Sequence, residues 1–197
     1  MMQKRKTPLL LFQCLFVTLW MFVISSCAFK SQTANIMPRL QSDSEKIGRG
    51  IPVKLFVIDE RGDKYVGRRA YKGSDIDLSQ DIDKTLFDAF NQALKIRDFH
   101  VNDASHTNLV VSVEKLKYKE RTALFGPKVT ISFFLEVACN GNVSEYQTKI
   151  QLEHSKQFGV IPTAKKNEEM LNEILGEGVE KTFQNVEMVS CLMGKEK

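Results

Sequence analysis

Residues 129–154 read VTISFFLEVACNGNVSEYQTKIQLEH, and the alternation within them decides the fold. Val129, Ile131, Phe133, Leu135, Val137 and Cys139 recur at every second position without a break, as they do in a strand with one face in a core. Asn140-Gly141 follows, a dipeptide suited to the positive φ angles of a two-residue hairpin turn. Beyond it Tyr146, Thr148, Ile150, Leu152 and His154 resume the same alternation. The stretch is predicted to be an antiparallel hairpin with one dry face and one wet face.

Working outward, Asn108 to Thr122 is also strand-like, but its phase changes near Lys115. Leu109, Val111 and Val113 are in step, whereas Leu116 and Tyr118 are not, so a bulge or strong bend is expected between them. Phe125-Gly126-Pro127 marks the turn that joins this strand to the hairpin. Upstream, Ile82, Leu86, Phe90 and Leu94 recur every four residues and predict an amphipathic helix over about 79–97. Ser79 is placed to cap it, Asp81 and Asp83 suit its positive end, and Lys95 and Arg97 suit the other. Val53, Leu55 and Val57 share one face of a first strand, followed by a long polar loop over 60–78 with a short strand near Arg69. A last helix opens at Pro162-Thr163 and carries Met170, Leu171, Ile174, Leu175, Val179 and Phe183. Gly176 and Gly178 weaken its middle and predict a bend. The order β-α-β-β-β-α predicts an α+β fold, a two-layer sandwich of an antiparallel meander sheet with both helices on one face.

The chain has 197 residues, 28 Lys and Arg against 24 Asp and Glu, and 43% hydrophobic residues, which is ordinary globular composition. Three of its cations, Lys4, Arg5 and Lys6, precede an apolar run from Leu9 to Ile24. Past residue 26 the charges nearly cancel, so net charge lends no support to a nucleic-acid footprint or a polybasic membrane patch. The apolar run fits the core of a signal peptide and is short for a spanning helix, which needs roughly 20 residues. It ends in Ile24-Ser25-Ser26-Cys27, an aliphatic residue, two small residues and a nucleophilic thiol.

That quartet resembles the bacterial lipobox. The resemblance implies that residues 1–26 are a cleaved signal peptide and that Cys27 carries a diacylglycerol thioether and an N-acyl chain. The alternatives are an uncleaved anchor helix and a cleaved, unlipidated secreted protein. Two or three acyl chains hold a protein durably where one does not. Ala28 follows the cysteine instead of the Asp that favours inner-membrane retention in enterobacterial lipoproteins. The expected address is therefore the outer membrane, with the domain facing the periplasm. Residues 27–50, polar and broken by Pro38, Gly48 and Gly50, read as the lipidated cysteine and a flexible tether. Residues 51–191 form the single domain and 192–197 a polar tail. Cys139 and Cys191 are left as an even pair in an oxidising compartment, either a disulfide or two buried thiols.

The lipobox, the strand IPVKLFVIDERGD, the helix DIDKTLFDAFNQALKIRDFHV, the strand NLVVSVEKLKYKE, the hairpin and the helix NEEMLNEILGEGVEKTFQNV follow one another in an order that resembles the YajG-type bacterial lipoproteins. The resemblance covers about residues 50–190 and implies an outer-membrane lipoprotein with no assigned enzymatic residues. Lipoproteins that assist lipopolysaccharide assembly have a similar order of elements.

Chemistry is sparse. His154 occupies an in-facing strand position and reads as a satisfied rim histidine, while His100 and His106 flank a loop without a ligand set, so no metal site is expected. No HExxH, GxSxG or phosphate-cradling Gly-Lys-Ser/Thr sequence is present, and neither an enzyme nor a cofactor beyond the lipid on Cys27 is expected. Arg61-Gly62-Asp63 reads as a strand-end turn. Lys64, Arg68, Arg69 and Lys72, near Tyr65 and Tyr71, form a basic loop cluster suited to an anionic headgroup, a glycolipid phosphate or an acidic partner. The expected function is that of a non-catalytic, lipid-anchored envelope module that binds a protein or glycolipid in outer-membrane assembly or transport. The alternative is a carrier of a small apolar ligand or lipid, in a pocket lined by Leu86, Phe90, Phe133, Phe134 and Leu135.

Overall fold

The computed structural model describes residues 31–41, 44–70 and 73–195; the signal segment, the lipobox and Cys27 lie outside the described residues. In chain order the elements are β1 (Gln32–Ala34), β2 (Pro52–Asp59), β3 (Gly67–Arg68), β4 (Asp75–Leu78), α1 (Ile82–Ile96), β5 (His100–Val101), β6 (Asn108–Ala123), β7 (Gly126–Asn140), β8 (Glu145–Gln157), α2 (Ala164–Gln184) and α3 (Val186–Leu192).

β6, β7 and β8 are the expected meander, paired antiparallel along nearly their whole lengths. The register between β6 and β7 slips between Val113 and Lys115. That is where the apolar phase of the sequence changes, and the extra residue turns the second half of the strand over. Leu109, Val111 and Val113 before the slip, and Leu116 and Tyr118 after it, are consequently all buried.

The rest of the sheet departs from a meander. β2 lies parallel to β6, from Lys54 opposite Asn108 to Asp59 opposite Val113. A crossover as long as the one through α1 brings the chain back to the same end of the sheet, which a tight hairpin cannot do. Past the bulge, β3 takes the place of β2 along the same edge, also parallel, with Gly67 opposite Tyr118. β4 pairs antiparallel with β3, and β1 pairs parallel with β4. The sheet is therefore mixed, and the predicted all-antiparallel sandwich is corrected to a mixed sheet with three helices.

The helices share one face, α1 against β2 and α2 and α3 against β7 and β8. Phe90 of α1 meets Phe183 of α2 with ring centroids 6.1 Å apart. α2 stays helical through Gly176 and Gly178. These glycines permit close approach. A Cβ at 178 would stand 2.6 Å from the Phe133 ring, and one at 176 would stand 2.2 Å from the Arg39 carbonyl oxygen. Ser79 does not cap α1; its amide and hydroxyl bond to Ala34 and Asn35, and Asp81 occupies the cap position without a side-chain capping bond, its carboxylate pairing with Lys84 instead. The β7–β8 turn spans residues 141–144 instead of two residues, because Asn140 still pairs with Glu145. Cys139 and Cys191 are joined as a disulfide, Cα atoms 6.2 Å apart, tying β7 to α3.

Residues 32–41, expected within the tether, are packed onto α2. Ala34 and Ile36 are buried in the core. The Gln32 amide donates to the Ala164 carbonyl (2.9 Å) and accepts from Asn167 (3.0 Å). The backbone N–H of Met37 donates to Asn172 (2.6 Å) and that of Gln41 to Glu180 (3.1 Å). Polar composition hid this segment, because its hydrogen-bonding partners lie more than a hundred residues away in the sequence.

A basic sheet face as candidate functional site

After the bulge, β6 reads KLKYKER over residues 115–121. Successive strand side chains point to opposite faces. With Leu116, Tyr118 and Glu120 buried inward, Lys115, Lys117, Lys119 and Arg121 stand in a row on the open face. Two residues of strand advance about 6.6 Å, so the four cations span about 20 Å. The register sets them opposite Phe134, Ser132, Thr130 and Lys128 of β7, with Gln151, Glu153, Ser155 and Gln157 of β8 beyond. The result is a shallow basic depression floored by hydroxyls and edged by one carboxylate, Glu153.

Lys115 rests its ammonium 4.4 Å over the Phe134 ring. Lys117, Lys119, Arg121 and Lys128 are exposed, and among the described residues none has a carboxylate within ion-pair distance. Farther along the same face Lys149 is neutralised, bridging Glu114 and Glu136. The unpaired row concentrates positive potential in one place, and a polyanion can satisfy several of its donors at once.

Beneath the row lies a buried polar network. The Tyr118 hydroxyl is 3.2 Å from both Glu120 and Asn167, and burial pushes its pKa upward. Arg69 turns into this network, 3.9 Å from Glu120 and bonded to the Pro162 carbonyl (2.9 Å).

The predicted loop cluster is therefore dispersed. Arg69 is committed inward. Arg68 pairs with Asp75 at 2.9 Å, and that hydrogen bond holds the Asp75 carboxyl below the usual range. Lys64 is exposed, and Lys72 lies outside the described residues. Arg61 of the Arg-Gly-Asp tripeptide closes a two-pronged pair on Asp59 (2.7 and 2.9 Å). His154 is bonded to Glu177 at 2.6 Å, as a satisfied rim histidine would be. Leu86, Phe90, Phe133 and Leu135 are fully buried and fill the core, while Phe134 belongs to the opposite face. The basic row was legible as four cations at alternate positions of a strand, yet a near-neutral total charge concealed it.

A mixed sheet with helices on one face and a basic row on the other defines an α+β fold with one charged open face. The chain belongs to a family of uncharacterized lipoproteins, whose sequence pattern matches residues 38–192. No curated protein matches it. Among solved structures it is similar to rare lipoprotein B of Shewanella oneidensis, at 15% identity over 68% of this chain and 91% of that one, with a TM-score of 0.43. A minor lipoprotein of Acinetobacter baumannii is similar at 10% identity over 76% and 96%, TM-score 0.41. A protein of Xanthomonas campestris is similar at 13% over 76% and 94%, TM-score 0.48.

Proposed function

We propose that this lipoprotein is a non-catalytic envelope module, anchored through acylated Cys27 to the periplasmic leaflet of the outer membrane. Its basic sheet face binds a phosphate-bearing glycolipid during outer-membrane assembly or transport. The observation that carries the reading is the unpaired row Lys115, Lys117, Lys119 and Arg121, with Lys128 opposite its end. Phosphate groups accept charge-assisted hydrogen bonds from such donors. Membership of the lipoprotein family supports the anchor. The carrier alternative finds no support in the filled core.

The test is binding of the detergent-solubilised protein to lipopolysaccharide and to its dephosphorylated form. The combined variant Lys117→Ser, Lys119→Ser, Arg121→Ser is expected to lose roughly tenfold or more in affinity, since a hydrogen bond to a charged group contributes about 1.5–3 kcal/mol. Binding should weaken with added salt, and Arg68→Ser, whose cation is already paired, should bind as the parent does. Equal affinity of the triple variant and the parent would sink the proposal.

A further inference from the structure

We infer that the β6–β7 hairpin tip, together with the loop before α2, dips into the surface of an anionic lipid bilayer and sets the domain's orientation on it. The inference rests on the anchor at Cys27 proposed above. Three large apolar side chains at this end are strongly exposed: Leu124 at 90%, Phe125 at 76% and Val160 at 77%. They belong to neighbouring segments, because the Phe158 amide donates to the Pro127 carbonyl at 2.9 Å, and Leu124, Pro127, Val160 and Ile161 line one shallow depression. Arg121 and Lys128 face each other across the hairpin behind the tip. Three residues of strand separate Arg121 from Leu124, about 10 Å. Apolar side chains ahead of a pair of cations match an interface whose acyl region lies beneath negative headgroups.

The path of the chain toward Cys27 points the same way. Gln32 is level with Tyr118 of β6, through Gln32 opposite Ile76, Ile76 opposite Gly67 and Gly67 opposite Tyr118. β1 is parallel to β4, β4 antiparallel to β3 and β3 parallel to β6, so β1 runs against β6. The backbone leading back from Gln32 thus leaves in the direction in which β6 advances to its tip. Cys27 is five residues before Gln32, which bounds its reach to about 17 Å. The tip lies six residues beyond Tyr118, about 20 Å. The chain length between them thus lets an acyl group on Cys27 reach toward the end of the molecule that carries the apolar tip.

The experiment uses the full chain in a Trp20→Phe background, which carries no tryptophan. Phe125→Trp places a single reporter at the tip, and Val143→Trp places one in the β7–β8 turn at the opposite end of the sheet. Both proteins are reconstituted with vesicles of phosphatidylglycerol and phosphatidylcholine whose acyl chains are brominated, and the mass of the N-terminal peptide is read on the same samples. The expected result is a blue-shifted emission from Phe125→Trp that the brominated chains quench, with Val143→Trp unquenched. Arg121→Ser with Lys128→Ser should reduce the quenching, as should replacing phosphatidylglycerol by phosphatidylcholine. Tip emission quenched no more than that of the far turn, in protein that is acylated and floats with the vesicles, overturns the orientation and leaves the anchor standing. An unmodified Cys27 overturns the anchor; tip quenching on the same vesicles then still supports membrane contact, and its absence refutes it.

Discussion

Arg97, read from the sequence as a cation suited to the end of α1, turns inward and pairs with Glu180 of α2 at 2.5 Å, with both side chains 7% exposed. Its guanidinium also donates to the Ala93 carbonyl (3.1 Å) and stacks 4.5 Å from the Phe183 ring centroid. Removing one partner of such a pair leaves a buried charge without compensation, so Glu180→Gln is expected to cost about 3–5 kcal/mol in urea unfolding. Asp59 makes a second residue-scale case. The hydrogen bond from Arg61 holds its carboxyl below the ordinary value of 3.8. A carboxyl depressed in the native state stabilises the fold above the unfolded-state value, and that contribution disappears as pH falls through the native value. Asp59→Asn should therefore unfold at lower temperature than the parent at pH 6, with the gap narrowing below about pH 3.8. A gap independent of pH would show that the loss arises from packing and not from the charge.

Among the elements, β6 shows how one inserted residue supplies two surfaces. Without the slip after Val113, Leu116 and Tyr118 would face solvent and Lys115, Lys117 and Lys119 would face the core. The sequence carried this legibly, as a break in an otherwise regular alternation. The disulfide joins the end of β7 to the short helix α3 across 52 residues. Closing a loop of that length is worth about 4 kcal/mol in the chain-entropy account. Thermal unfolding with and without reductant should show a loss of that order, matched by the combined variant Cys139→Ser, Cys191→Ser. No loss on reduction would mean that α3 is held by Met188 and Leu192 in the core alone. The β7–β8 turn was misread for a reason at this same scale. Asn-Gly favours a two-residue turn locally, but pairing persists to Asn140 and Glu145, and the loop lengthens to fit.

Across the whole molecule, the N-terminal segment and the charge pattern gain meaning only together. The 32–41 segment reads as tether because half its side chains are polar and Pro38 interrupts it. The Gln32 side chain and the backbone amides of Met37 and Gln41 bond along α2, which makes the segment an edge of the fold and leaves five residues of chain back to Cys27. A near-neutral total likewise conceals an uneven surface, with paired cations at Arg61, Arg68 and Lys149 and unpaired ones along β6. With Cys27 acylated as proposed, so short a link would make orientation at the membrane a property of the folded domain, since a long tether would decouple the two.

The antiparallel β6–β7–β8 hairpins, the bulge and both long helices are legible in the amino-acid order alone. These elements follow from periodicity and local steric preference, which act over a few residues. The amino-acid order also marked Cys139 and Cys191 as a pair, without showing whether they meet. It takes the tertiary contacts to bring β2 and β3 to β6 in parallel, to seat Arg39 and Phe133 against Gly176 and Gly178, and to turn Arg69 inward while Lys117, Lys119 and Arg121 have no carboxylate partner among the described residues. Each of these depends on which distant segment arrives alongside, and periodicity carries no information about the partner across the sheet.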